Sequence, residues 1–188
     1  MKQFAVLLIL FPAILIAEDV KAKLGIELKR GTISSKALAR EVVRSGDRIT
    51  AYVLPAQNSN VYVVSIKDGK ASLINGKGIA LSSSEAAAIP SMESPIILTE
   101  KGLVEIQIYV SREPITDLNE LANGVALTRF REIERRIKDR AGITGAPEKP
   151  APVAANVRAM GADVIAREMP GYSSPKIILA KFYFDVQN

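Results

Sequence analysis

Leu103-Val104-Glu105-Ile106-Gln107-Ile108-Tyr109-Val110 alternates without a break. Val104, Ile106, Ile108 and Val110 fall on one side, and Glu105, Gln107 and Tyr109 on the other. A period of two specifies an extended strand, because successive side chains of a strand point to opposite faces. One apolar and one polar face predict a half-buried antiparallel strand. The same period runs upstream, where Ile49, Ala51 and Val53 alternate with Arg48, Thr50 and Tyr52 until Pro55 ends the run. Val61-Tyr62-Val63-Val64-Ser65-Ile66 is β-branched and aromatic, as strands prefer. Asp68-Gly69 joins it to a strand at 70–74, and Asp-Gly between two such runs signals a tight hairpin. Residues 76–95, with Ser82-Ser83-Ser84, Pro90 and Pro95, read as a long loop before a short strand at 96–99.

After Pro114 the period becomes helical. Leu118, Leu121, Val125, Phe130, Ile133 and Ile137 recur at near-helical spacing, with Thr116 or Asp117 expected to cap the start. Gly124 divides this stretch into a short turn and a helix of about 125–140, closed by Gly142. Residues 141–161, rich in Ala and Pro, read as an extended connector. Ile178, Ala180, Phe182, Phe184 and Val186 form the apolar face of a last strand, which is expected to return to the main sheet. Residues 23–47 are ambiguous: Ile26-Glu27-Leu28 alternates briefly, and Ser34-Ser35 could cap a short helix through Val43. The expected class is α+β, mainly antiparallel β and sandwich-like, with one amphipathic basic helix and a returning C-terminal strand.

The chain has 188 residues, 25 Lys+Arg, 20 Asp+Glu, and no His, Cys or Trp. Without His and Cys there is no Ser-His-Asp or Cys-His nucleophile pair, no zinc site of the usual kind and no disulfide framework. Residues 1–17, MKQFAVLLILFPAILIA, place Lys2 before an uncharged apolar run of 13 residues. That run is short of the roughly 20 residues a membrane-spanning helix needs. A basic start, a short apolar core and a small residue after it form the pattern of a secretory signal peptide. The expected signal covers residues 1–22, with cleavage after Ala17 or Ala22. Removing all 22 leaves 23 basic and 18 acidic residues, still +5. The expected organisation is then a β-module with its helix at 23–140, the connector at 141–161, and a C-terminal extension at 162–188.

The segment from about Ser34 to Pro114 resembles the bacterial domain of unknown function 4384 family. Ser45-Gly46-Asp47-Arg48-Ile49 is similar to its opening Gly-Asp element, and Asn60-Val61-Tyr62-Val63-Val64 to its aromatic strand. Asp68-Gly69, Ile89-Pro90, Glu100-Lys101-Gly102 and Ile108–Pro114 follow in the family's order. Its Phe-Pro pair is missing at Ile74-Asn75. The resemblance covers about 80 residues. It implies a small β-sandwich-like module, which in the family occurs in exported proteins and also fused to kinase-like and caspase-like domains, and no known catalytic residue.

The remaining motifs point away from catalysis. Gly76-x-Gly78 lacks the rest of either phosphate-loop fingerprint. Ser82-Ser83-Ser84-Glu85 and the loose Ser-x-x-Lys at Thr32–Lys36 lack the supporting elements of a serine enzyme without His. Asp117, Asn119 and Glu120 superficially resemble a calcium cluster but lack the full loop. Glu132 and Glu134 are two apart on a helix and diverge. The basic helix carries Arg129, Arg131, Arg135, Arg136, Lys138 and Arg140 against Glu132, Glu134 and Asp139. Its candidate partner-binding residues are Arg129, Arg131, Arg135, Arg136 and Lys138, together with Tyr109; a salt-laced solvent face is the plainer reading. Tyr52, Tyr62, Tyr109 and Tyr183 either line a ligand groove or pack the sheet.

The expectation is an exported, periplasmic, non-enzymatic interaction or assembly module of an envelope-associated complex. No cofactor, metal, nucleic-acid partner or membrane span after signal removal is expected, and the last strand could also pair between chains. The alternative is a module binding a cell-wall glycan or peptide near residues 76–95. A hydrolase comes third.

Overall fold

The computed structural model describes residues 19–143 and 162–188. The expected signal segment up to residue 18, and residues 144–161 of the expected connector, lie outside the described residues. In chain order the strands are β1 (Val20–Arg30), β2 (Ile33–Lys36), β3 (Arg40–Arg44), β4 (Arg48–Pro55), β5 (Ser59–Lys67), β6 (Lys70–Leu73), β7 (Ile79–Leu81), β8 (Ala87–Ile89), β9 (Ile96–Ile97) and β10 (Gly102–Ser111). A 3-10 helix (Thr116–Asn123), β11 (Val125–Ala126), α1 (Leu127–Ala141), α2 (Ala162–Glu168), β12 (Gly171–Ser174) and β13 (Ile177–Gln187) follow.

Two sheets form. Sheet A runs β12-β1-β4-β8, with β2 also beside β1 and β9 beside β4. Sheet B runs β11-β6-β5-β10-β13-β3, with β7 beside β5. Every pairing is antiparallel except β13 with β3. The period-two apolar residues meet between the sheets: Leu24, Ile26 and Leu28 of β1 and Ile49 and Val53 of β4 face Val104, Ile106 and Ile108 of β10 and Phe182 and Phe184 of β13. Burying each such side chain is worth about 1.5–3 kcal/mol. The mainly β, sandwich-like class with a returning C-terminal strand is the architecture observed.

Both outer faces carry a helical layer. On sheet B, Tyr62, Val64, Tyr109 and Leu179 pack against Leu118 and Leu121 of the 3-10 helix and Phe130, Ile133 and Ile137 of α1. On sheet A, Tyr52 packs against Ile165, Ala166 and Met169 in and just after α2, a helix the short 164–169 stretch did not announce. Helix α1 ends as expected: Gly142 takes the left-handed conformation at φ +70°, and the Ile143 amide returns to the Lys138 carbonyl. Neither Thr116 nor Asp117 caps the 3-10 helix, whose start has no side-chain cap.

Three local expectations are corrected. Residues 34–43 are not helical: they form β2, a turn and β3, because the segment carries the chain from sheet A to sheet B. Ala37 donates its amide to Ile26 of β1, and Ala39 accepts from Tyr183 of β13, pairings a helix would forfeit. The 76–95 loop contains β7 and β8, which pair with β5 and β4 and cross between the sheets in the other direction. From Val104 onward β10 is buried on both faces, because α1 covers the side that alternation alone assigns to solvent.

The strand β1 starts at Val20 and so runs across the expected boundary at residue 22. Residues 162–188 supply β12 to sheet A and β13 to the middle of sheet B. Strand β13 pairs with β10 through ten residues on one side and with β3 through Tyr183–Gln187 on the other.

Gly78 owes its place to packing. A Cβ there would lie 2.3 Å from Cε1 of Tyr62, whose ring is buried and whose hydroxyl accepts the Ile115 amide at 3.0 Å. Gly25 is also tight, but against the mobile Met169 thioether, at 2.6 Å from its sulfur. Gly78→Ala is expected to lose about 1–3 kcal/mol, and Gly25→Ala less, in urea unfolding. Equal stability of Gly78→Ala and the parent would refute this account of Gly78.

Candidate functional site

Helix α1 brings its basic side chains to acids that sequence spacing does not place beside them. Arg129 holds Glu120 of the 3-10 helix at 2.7 Å and Glu132 at 3.0 Å. Arg136 holds Asp117 and Glu120, each at 3.2 Å, and Arg140 also pairs with Asp117. The acids that resembled a calcium cluster are therefore the counter-charges of α1. Arg131 bridges Glu105 of β10 at 3.0 Å and Glu134 at 2.8 Å. Lys138 reaches Glu134 at 3.0 Å, and Lys181 of β13 donates to it. Among the described residues, Arg135 is the one basic side chain of α1 with no ion pair.

Tyr109 does not lie on a surface. It is fully buried beneath α1, so as a partner-binding residue it is corrected. Its hydroxyl donates to Gln107 Oε1 at 2.5 Å, and Gln107 Nε2 donates to Glu105 Oε1 at 2.6 Å. Burial, then the charges of Glu134 and Glu105, push the Tyr109 hydroxyl well above its ordinary value. Tyr52 and Tyr62 are buried as well, so three of the four strand tyrosines pack the sheets.

The result is a polar ladder along the outer face of β10 that ends in a cluster of Glu105, Glu134, Arg131, Lys138 and Lys181. Burial alone would raise the Glu134 carboxyl, but hydrogen bonds from Lys181 and Arg131 outweigh it and bring it from 4.5 down to about 2. A buried charge is tolerated when its partners are all present, and removing one partner strands the rest. The cluster anchors α1 to sheet B.

The serine motifs are also engaged. The Ser82 amide donates to Glu85 Oε2, and Ser83 donates its hydroxyl to the Ala56 carbonyl and its amide to Asn58 Oδ1. Lys36 donates to the Glu168 carbonyl.

On sheet B, one end of the outer face is left uncovered by the described residues. Leu103 of β10 lies opposite Asp185 of β13, and Asp185 opposite Val42 of β3, in one row across the outer face of sheet B. Leu103 is 61% exposed and Val42 56%. In the next row Glu105, Tyr183 and Arg40 are aligned, with the Arg40 guanidinium 5.3 Å from the centre of the Tyr183 ring. This is the end of the face beyond α1. The sequence concealed it, because the row depends on register between strands far apart in the chain.

The free edge of β3 is guarded. Arg30 Nη2 donates to the Val42 carbonyl at 2.9 Å and to Glu41 at 2.8 Å, and the Arg44 amide donates to Asp47 Oδ2 at 2.9 Å. Side chains thus fill positions that an added strand would need.

No family model, curated protein or solved structure matches the chain.

Glu134→Gln is expected to destabilise the fold by about 3–5 kcal/mol, as for breaking a buried ion pair. The Glu134 contribution, from a folded value lowered to about 2, is present above pH 4.5 and lost as pH falls towards 2. Urea unfolding of the two proteins between pH 7 and pH 2 checks this: the parent's advantage must shrink across that window.

Proposed function

We propose that this chain is an exported, non-enzymatic interaction module, an accessory component of an envelope-associated assembly. It docks a partner protein on the uncovered end of the outer face of sheet B. The observation that carries this reading is the row Leu103–Asp185–Val42, with two large exposed apolar side chains on a sheet face that is otherwise roofed by α1. A sheet face buries its apolar side against a helix or another sheet, and exposed apolar surface rimmed by charge marks an interaction site. The occupant that fits is an amphipathic helix of the partner lying beside α1, with apolar residues on Val42 and Leu103 and acids facing Arg40 and Arg44. Helix docking is favoured over strand addition because Arg30 and Asp47 occupy the edge of β3. The basic face of α1 is a weaker candidate, since its charges are largely matched within the chain.

A photoreactive residue at position 42 is expected to give one discrete adduct in the envelope fraction, which Leu103→Asp abolishes without lowering the melting temperature. A residue at position 85 serves as the control and gives none. No adduct from position 42, an adduct indifferent to Leu103→Asp, or an adduct of twice the chain's own mass would overturn the reading.

Export rests on residues 1–17 and accords with the resemblance to the 4384 family. The fold bears on where the signal is cut. Cleavage after Ala22 would remove Val20 and Ala22, 1% and 4% exposed in the inter-sheet core, together with three of the four pairings of β1 with β12. Cleavage after Ala17 leaves β1 whole. It also keeps Asp19, whose carbonyl accepts from Gln57 and whose carboxylate accepts from Ser173. The mature protein is expected to begin at Glu18 by intact mass; a chain beginning at Lys23 would contradict this.

A further inference from the structure

The outer face of sheet A carries a second row beyond the cover of α2. It reads Ser34–Lys29–Arg48–Ile97, one residue each from β2, β1, β4 and β9. Lys29 and Arg48 are thus directly opposed on one face, and both are exposed. Opposed side chains of an antiparallel pair have Cβ atoms about 4.5–5.5 Å apart, and like charges there destabilise the pair.

Among the described residues neither Lys29 nor Arg48 has an ion-pair or hydrogen-bond partner, whereas the charges around them do. Arg30 holds Glu41 and Asp47, and Lys36 donates to the Glu168 carbonyl. Glu27, the acid nearest along β1, accepts the Tyr52 hydroxyl at 3.0 Å. Tyr52 lies two residues beyond Thr50, the residue opposite Glu27, so this carboxylate is drawn away from the Lys29–Arg48 row. Glu93 borders the same surface without pairing to either cation.

The two cations stand between two recesses. One, of about 310 Å³, is lined by Lys29, Gly31, Thr32, Gly46 and Arg48. The other, of about 120 Å³, is lined by both cations with Ser34, Thr50 and the Glu27–Tyr52 pair among others. A Cβ built at Gly31 or Gly46 would meet nothing within 4 Å, so both glycines face open space among the described residues. Thr32 lines the first recess and Ser34 the second.

We propose that Lys29 and Arg48 bind one phosphate group between them, with Thr32 and Ser34 as supporting donors. A dianion matches two unpaired cations. The Arg fork offers two parallel N–H donors, the Lys ammonium a compact charge, and each charge-assisted hydrogen bond exceeds a neutral one. The like-charge opposition is then the cost of a site, relieved when the anion sits between the charges. This site lies on the other sheet from the proposed docking face and does not depend on it.

Thermal melting and calorimetric titration of the mature chain test this, with inorganic phosphate as the probe and chloride at equal ionic strength as the control. The melting temperature is expected to rise with phosphate and not with chloride. Lys29→Glu places opposite charges across the strands. It is expected to melt above the parent in chloride, and to bind phosphate at least tenfold more weakly. Lys29→Gln, which only removes the charge, must lose the phosphate response as well, and it serves if Lys29→Glu does not fold. A parent that responds to phosphate no more than to chloride, or variants that bind phosphate like the parent, would overturn the proposal. Glycerol phosphate run in parallel separates the sources: tighter binding than inorganic phosphate assigns the site to a phosphate ester, weaker binding to the free ion.

Discussion

Strand β10 pairs with β13 through ten residues on one side and with β5 through seven on the other. Its inner comb of Val104, Ile106, Ile108 and Val110 fills the space between the sheets, and its outer comb of Glu105, Gln107 and Tyr109 is sealed by α1. Sealing the outer comb takes a carboxylate and an amide out of water, which is unfavourable unless every polar atom finds a partner. The hydrogen-bonded run from Tyr109 through Gln107 to Glu105, closed by Arg131, meets that requirement. No buried side-chain N or O among the described residues is left without a partner. The position of α1 and Lys181 of β13 answer this demand.

The same demand explains why a helix rich in arginine is a poor guide to partners. Its charges were visible in the sequence, but their matches come from three other elements: the 3-10 helix, β10 and β13. An excess of three along one helix becomes a largely neutral interface once Asp117, Glu120 and Glu105 are brought to it. The surfaces left for work are those where register aligns residues and no other described element covers them. Sheet B offers an apolar row with a charged centre, and sheet A offers two opposed cations. The first suits a protein, the second an anion, and they face opposite sides of the sandwich.

Much of this was legible in the residues. Alternation in 48–53, 103–110 and 178–186 marked the core strands and their buried faces, because a period of two survives whatever neighbours the strand acquires. Asp68-Gly69 and Gly142 marked a hairpin and a helix end, because both positions need positive φ, which Gly and Asp tolerate. The segment 34–43 misled. Its Ser pair and short apolar spacing suit a helix locally, and only the two sheets on either side impose an extended path. Helix α2 escaped notice because a seven-residue helix shows fewer than two full periods.

The sequence by itself determined which residues are apolar, at what period, and therefore that two-faced strands and one amphipathic helix must bury them together. It also determined the absence of thiol and imidazole chemistry, since no fold can supply a side chain the chain lacks. The tertiary structure decided what meets what. Register set Lys29 against Arg48 and Leu103 in line with Val42, and packing placed Tyr109 inside and Arg131 against Glu105. Those are contacts between residues distant in the chain, fixed by sheet pairing and layer stacking, and local periodicity holds no information about them.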